Sequence, residues 1–239
     1  MKSGTKVYNK RKGLYGMKCE KCDKANDFPY CECVDENLQF SELIEEVQML
    51  NNYQFIFETE VKSAIKRDGI DDLLTALRVT DFFTAPASAK YHGACESGLV
   101  KHSLAVFENF WKIAPIFGFT HTPENDESAA IVCLFHDICK INFYTTTYRN
   151  VKNEETGNWE KVPYYAIDEK FPFGGHGVKS MYLIMKYMKL YDDEAMAICH
   201  HMGAWDKSNY SDPGKAYSYS LLAWLLHVAD EAATYVDDE

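Results

Sequence analysis

The chain has 239 residues, 46% hydrophobic and 26% charged, with 7 prolines, enough for a packed core without staples and unlike collagen-like, mucin-like or largely disordered chains. Its 36 acidic and 25 basic residues leave a net charge of −11, so a general polyanion surface is not expected. Small substrates are favoured over long nucleic acid.

Basic residues at Lys2 and Lys6 are followed by no apolar segment of signal-peptide type, and no stretch approaches the ~18 apolar residues of a membrane helix. A cytoplasmic protein without membrane contact is expected. Of 8 cysteines, Cys19, Cys22, Cys31 and Cys33 cluster, whereas Cys95, Cys133, Cys139 and Cys199 stand singly in apolar or helical segments. A secreted disulfide framework would not be spaced this way, which points to a reducing compartment.

Residues 1–36 run from basic to cysteine-rich to acidic without helical periodicity and read as an irregular appendage; residues 37–239 read as the main domain. The four clustered thiols match the number a tetrahedral structural zinc requires, although Cys31-x-Cys33 is tighter than the usual Cys-x2-Cys pair. From 40 to 66 apolar residues recur at helical spacing, through Leu43, Val47, Leu50, Phe57, Val61 and Ile65, and a short helix over 71–77 follows Gly69. Ala85-Pro86-Ala87-Ser88 breaks the pattern. A helix over 98–117 then places His102, Val106 and Phe110 on one face. The next, over 127–140, is strongly apolar and carries His136 and Asp137 toward its end. Between 141 and 175 two β-prone runs flank a turn-rich stretch, so a hairpin is expected as an insertion. Helices over 177–190, 193–201 and 217–235 complete a mostly α protein, with a polar loop over 206–213.

The polar residues that interrupt these apolar helices are His102, His136-Asp137, His176, His200-His201 and Asp230. Buried carboxylates cost several kcal/mol unless paired or bound to metal, so convergence of these groups points to cations held among them. Adjacent residues on a helix diverge by about 100°, which allows His136 to bind one ion while Asp137 bridges two.

The order of these residues resembles the HD superfamily of metal-dependent phosphohydrolases, in its binuclear form. The resemblance runs from about Leu73 to Asp237, through Tyr91-His92-Gly93-Ala94, Gly98 to Ser103, His136-Asp137-Ile138-Cys139-Lys140, Gly175-His176-Gly177 and His227-Val228-Ala229-Asp230. It is similar to the HD hydrolases of Firmicutes and their phages and to the HD domain of YhaM-type exoribonucleases. The resemblance implies an all-α HD fold and two divalent ions, drawn from Mn, Fe, Mg, Ni or Co. It also implies a first ion held by His102, His136, Asp137 and Asp230, and a second held by Asp137, His176 and one of His200 and His201, with His201 favoured. Asp137 and Lys140 are the implied catalytic pair, Lys140 holding a substrate phosphate.

The chemistry implied is hydrolysis of a phosphoester, in a nucleotide or another small phosphorylated substrate, by metal-activated water. Lys140, Tyr148, Arg149 and Lys207 are candidate substrate contacts, with the 141–175 insertion as a lid. His227 reads as core packing or a neighbour of the ligands, His92 as a loop residue or pocket donor, and His121 as an exposed loop residue. Three alternatives are a di-iron oxygenase, which would consume oxygen and release no phosphate, a 3'-5' exoribonuclease-like phosphodiesterase, and a non-catalytic nucleotide-binding module.

Overall fold

A computed structural model of the chain describes residues 52–206 and 212–236. All of them fall within the unit Leu50–Glu239. The cysteine cluster at Cys19, Cys22, Cys31 and Cys33, the 36/37 boundary and Lys207 lie outside the described residues. The fold is mostly helical with one two-stranded antiparallel sheet, as the sequence pattern predicts. In chain order it comprises a helix described over 52–64 (α1), Ile70–Arg78 (α2), Gly98–Ile113 (α3), Pro123–Phe135 (α4), the strands Tyr144–Lys152 (β1) and Trp159–Ile167 (β2), then His176–Met185 (α5), Asp192–His200 (α6), Pro213–Tyr219 (α7) and Leu221–Tyr235 (α8). Among the described residues no helix is long and apolar enough to cross a membrane.

The core follows from the sequence periodicity. Residues 129–135 of α4 are all buried, the mark of a helix enclosed on every side. Helix α3 packs against α4 and α8, α6 against α8 and α5, and α7 against α8. From α8, Leu222, Leu225, Leu226, Ala229 and Ala233 turn one stripe inward, and Phe57, Phe82, Phe83 and Phe135 meet edge to face with centroids 5.0–5.8 Å apart.

Local chemistry moves two helix ends away from where hydrophobic periodicity alone puts them. Helix α4 begins at Pro123 rather than 127, because the Thr122 side chain accepts the Asn125 N–H as an N-cap and proline fits the first helical position. The helix expected over 217–235 is two helices. Ser220 adopts extended backbone (φ −124°, ψ 115°) and its hydroxyl accepts the Ala223 N–H to start α8, while α7 has already begun at Pro213.

A lone two-stranded hairpin is marginal in water, and here its base is tied down. Tyr144 pairs with Ile167 at one end and Lys152 with Trp159 at the other. The Asp168 N–H donates to Phe143 O at 2.9 Å, and the Asn142 N–H donates to an Asp81 carboxylate oxygen at 2.6 Å.

Two contacts lock the helices that surround the site. Arg67, between α1 and α2, donates to Glu194 of α6 at 2.9 Å and to Glu127 of α4 at 3.0 Å, and Glu194 also accepts from the Ser128 hydroxyl and the Tyr191 N–H. At Gly177, α5 approaches the end of α6 so closely that a Cβ would stand 2.4 Å from Cys199 O and 2.5 Å from Ile198 O.

Glu194→Ala removes one of the two carboxylates paired with a guanidinium whose side chain is only 10% exposed, leaving Glu127, and also removes the acceptor of Ser128 and Tyr191; it should cost about 3 kcal/mol in chemical denaturation. Glu58→Ala, which breaks the more open pair with Arg78, should cost less than about 1 kcal/mol. Gly177→Ala should cost about 1–3 kcal/mol by overpacking, read as a lowered melting temperature.

Candidate metal centre

Helix ends create the site. His136 follows the last residue of α4 and His201 the last residue of α6, where helix carbonyls lack partners. Each imidazole turns back on such a carbonyl. His136 Nδ1 lies 2.8 Å from Cys133 O, and His201 Nδ1 lies 2.7 Å from Ile198 O. A carbonyl only accepts, so both Nδ1 atoms carry the proton, and in the neutral ring each Nε2 is left with its lone pair. His136 Nε2 and His201 Nε2 are buried and have no hydrogen-bond partner.

Around them gather groups from α3, α8 and the turn after α4. His102 comes from the buried face of α3, beside Val106 and Phe110. Its Nε2 lies 3.0 Å from Asp230 Oδ1, close but without the alignment of a hydrogen bond. His136 Nε2 lies 3.7 Å from the same oxygen. Asp137 presents its two oxygens in different directions. Oδ2 faces Lys140 Nζ at 2.5 Å, His136 Nε2 at 3.5 Å and His102 Nε2 at 3.9 Å, whereas Oδ1 faces His201 Nε2 at 3.5 Å. His176 opens α5, and its Nδ1 lies 3.3 Å from Cys139 Sγ. The trios His102, His136, Asp137; His136, His201, Asp230; and Asp137, Cys139, His176 each hold their ligand atoms within 4.8 Å of one another.

The electrostatics favour positive charge. Burial alone would raise the Asp137 carboxyl, but Lys140 and then His136 hold it well below the usual carboxylate range. Asp230 is likewise lowered against burial, chiefly by His102. Burial works against a proton on His136, yet Asp137 and then Asp230 raise its pKa. Burial also opposes a charged Lys140, and Asp137 overrides it to keep the ammonium protonated. At His176 burial, aided by the Lys140 and His201 charges, outweighs Asp137 and lowers the pKa, while burial and then Asp137 push the Cys139 thiol up to about 12.

A divalent cation fits this donor set. Unpartnered imidazole nitrogens of His102, His136 and His201 face two ionised carboxylates in a buried space, and neutral imidazole with carboxylate is the donor chemistry of divalent transition metals.

The candidates named from sequence separate clearly. His102, His136, Asp137, His176, His201 and Asp230 converge. His200 does not join any of the trios; it is partly exposed, and its carbonyl accepts the Tyr217 hydroxyl at 2.8 Å. Lys140 is buried against Asp137 rather than reaching to solvent. Tyr148 is exposed on β1, and Arg149 lies over the Tyr164 ring of β2, so neither belongs to the cluster. His121 is exposed as expected, stacked on Trp111 and paired with Asp126.

Other residues emerge from the structure. Tyr144 is the hairpin residue close enough for the Lys140 charge to act on it, and it lines a cavity of about 350 Å³ with Asp81, Thr84, Glu96, Thr146 and Tyr165. The His92 ring lies 5.0 Å from that of His102, and its buried Nε2 has no hydrogen-bond partner. His227 Nδ1 lies 2.7 Å from His201 O, and the ring stacks on Tyr217, so His227 braces the backbone that presents His201. Only spacing marks Cys139 in the sequence, three residues after His136 and two after Asp137.

Comparison with known proteins agrees with this geometry. Searches of curated proteins and of solved structures give no match. The family model described as the HD domain matches residues 99–235, more than half of the chain, and its span includes every residue of the converging cluster. The chain belongs to the HD domain family, whose members bind divalent metals and act broadly as metal-dependent phosphohydrolases.

Proposed function

We propose that the protein hydrolyses a phosphoester of a nucleotide or related small phosphorylated compound, using two divalent ions. The observation that carries this reading is the meeting of His102, His136 and His201, each with an unpartnered buried Nε2, around the carboxylates of Asp137 and Asp230. His102, His136, Asp137 and Asp230 would hold one ion; Asp137, His176 and His201 would hold the second. When bound, such ions supply a water of lowered pKa and a positive field for the phosphoryl oxygens.

The chain's own residues do the rest. Asp137 would serve both positions, since one oxygen faces His136 and the other His201. Lys140 keeps that carboxylate ionised and places a cation where a substrate phosphate would approach. The carbonyls of Cys133 and Ile198 hold His136 and His201 in one tautomer, so no reorganisation precedes ligation. Tyr144, on which the Lys140 charge acts, and His92, whose ring lies 5.0 Å from that of His102 with an unpartnered Nε2, would offer hydrogen-bonding groups to a substrate beside the cluster. Tyr148 and Arg149 on the hairpin would reach only the outer part of a bound molecule. Net charge −11 favours a short substrate over a long nucleic acid.

Asp137→Ala should abolish divalent-metal binding, read by metal analysis, together with phosphate release from a nucleotide and phosphomonoester panel; retained turnover would contradict the reading. Metal at about 100 times its Kd should stabilise the native protein by about 2.7 kcal/mol in thermal denaturation, and the variant should show no such gain. His201→Ala should lower kcat/KM by more than about 100-fold, beyond what loss of an outer partner of a metal ligand costs. His200→Ala should change it far less, and equal losses would undo the assignment of His201.

A further inference from the structure

We infer that Cys139 is a metal ligand, completing with Asp137 and His176 a thiolate, carboxylate and imidazole site that selects Fe2+, Co2+ or Zn2+ over Mg2+. The inference rests on the metal reading above and specifies the ion it takes.

Three observations carry it. First, the separations are close to those around a shared ion. Cys139 Sγ lies 3.3 Å from His176 Nδ1 and 3.9 Å from Asp137 Oδ1, the first inside and the second just above the range of about 3.3–3.8 Å that separates ligand atoms about 2.0–2.3 Å from one tetrahedral ion. Secondly, His201 Nε2, fully buried and without a hydrogen-bond partner, points at the same Asp137 Oδ1 from 3.5 Å. The Cys139 thiol can donate its one proton to Asp137 Oδ1 or to His176 Nδ1 and in either case leaves His201 Nε2 without a partner, whereas a cation among them answers that nitrogen, the imidazole and the carboxylate together. Thirdly, the turn is held in place: the Cys139 N–H donates to the buried Ser180 hydroxyl of α5 at 3.2 Å, and α5 also begins with His176.

Coordination breaks the S–H bond, forms a sulfur–metal bond and releases one proton to solvent. Thiolate is a soft donor, so it strengthens binding of borderline transition ions and adds little for Mg2+, which prefers oxygen.

The test uses the full chain with Cys19, Cys22, Cys31, Cys33, Cys95 and Cys199 each replaced by serine, which leaves only Cys139 and the buried Cys133. Loaded with Co2+, this protein should show ligand-field absorption together with a thiolate-to-cobalt charge-transfer band in the near ultraviolet. Cys139→Ser in that background should lose the charge-transfer band, keep ligand-field absorption, and bind Co2+ at least about tenfold more weakly with Mg2+ affinity little changed. X-ray absorption of the zinc-loaded protein needs no change at Cys139 and should show a sulfur shell at about 2.3 Å. Ligand-field absorption without the charge-transfer band, or a zinc shell of nitrogen and oxygen only, would show Cys139 to be a hydrogen-bonded thiol; the phosphohydrolase reading would survive. Failure to bind Co2+ or Zn2+ at all would overturn both.

Discussion

Two carboxylates, Asp137 and Asp230, are buried where four imidazoles converge, and this is the constraint to which the rest of the fold answers. A buried charge costs several kcal/mol unless it is compensated. Lys140 compensates part of it, at 2.5 Å from one Asp137 oxygen, but the second Asp137 oxygen faces only the His201 imidazole and the Cys139 thiol, and Asp230 only imidazoles, among the described contacts. The same negative field that favours a proton on His136 favours a divalent cation in its place.

The fold meets this constraint with helix ends. His136 and His201 leave α4 and α6 at equivalent points and bond the carbonyl three residues back in the same way. The termini are themselves clamped, by the close approach of Gly177 to the end of α6 and by Tyr217 and His227, which bond the carbonyls of His200 and His201. Stability and site geometry are therefore coupled. The Arg67, Glu194 and Glu127 network links the segment before α2 to α4 and α6, the two helices that deliver these histidines.

Much of this was legible in the sequence, for a physical reason. A polar residue interrupting an apolar helix stripe must be buried with partners, so His102, His136, Asp137 and Asp230 stand out against Val106, Phe135 and Ala229. Residues in turns have no such background. Cys139 and His92 sit where periodicity does not apply, and their neighbours come from remote segments, α5 and α3. His200 and His201 differ by one position and look alike in the sequence; the carbonyl of Ile198 at the end of α6 distinguishes them. For the hairpin, local propensity marks the strands but not which residue reaches inward. Docking at Asp81 and Ala87 brings Tyr144 toward Lys140 and leaves Tyr148 in solvent. The early start of α4 at Thr122-Pro123 and the break at Ser220 carried readable capping signals that hydrophobic periodicity overrode.

The central claim is that segments remote in the chain meet to hold cations. Crystals grown with Mn2+ and measured at wavelengths on both sides of the manganese absorption edge test it most directly. The account predicts anomalous peaks within bonding distance of His102, His136, Asp137 and Asp230, and at Asp137, His176 and His201. A map without peaks there, or one in which the Nε2 atoms of His136 and His201 bond to protein groups instead, would contradict it.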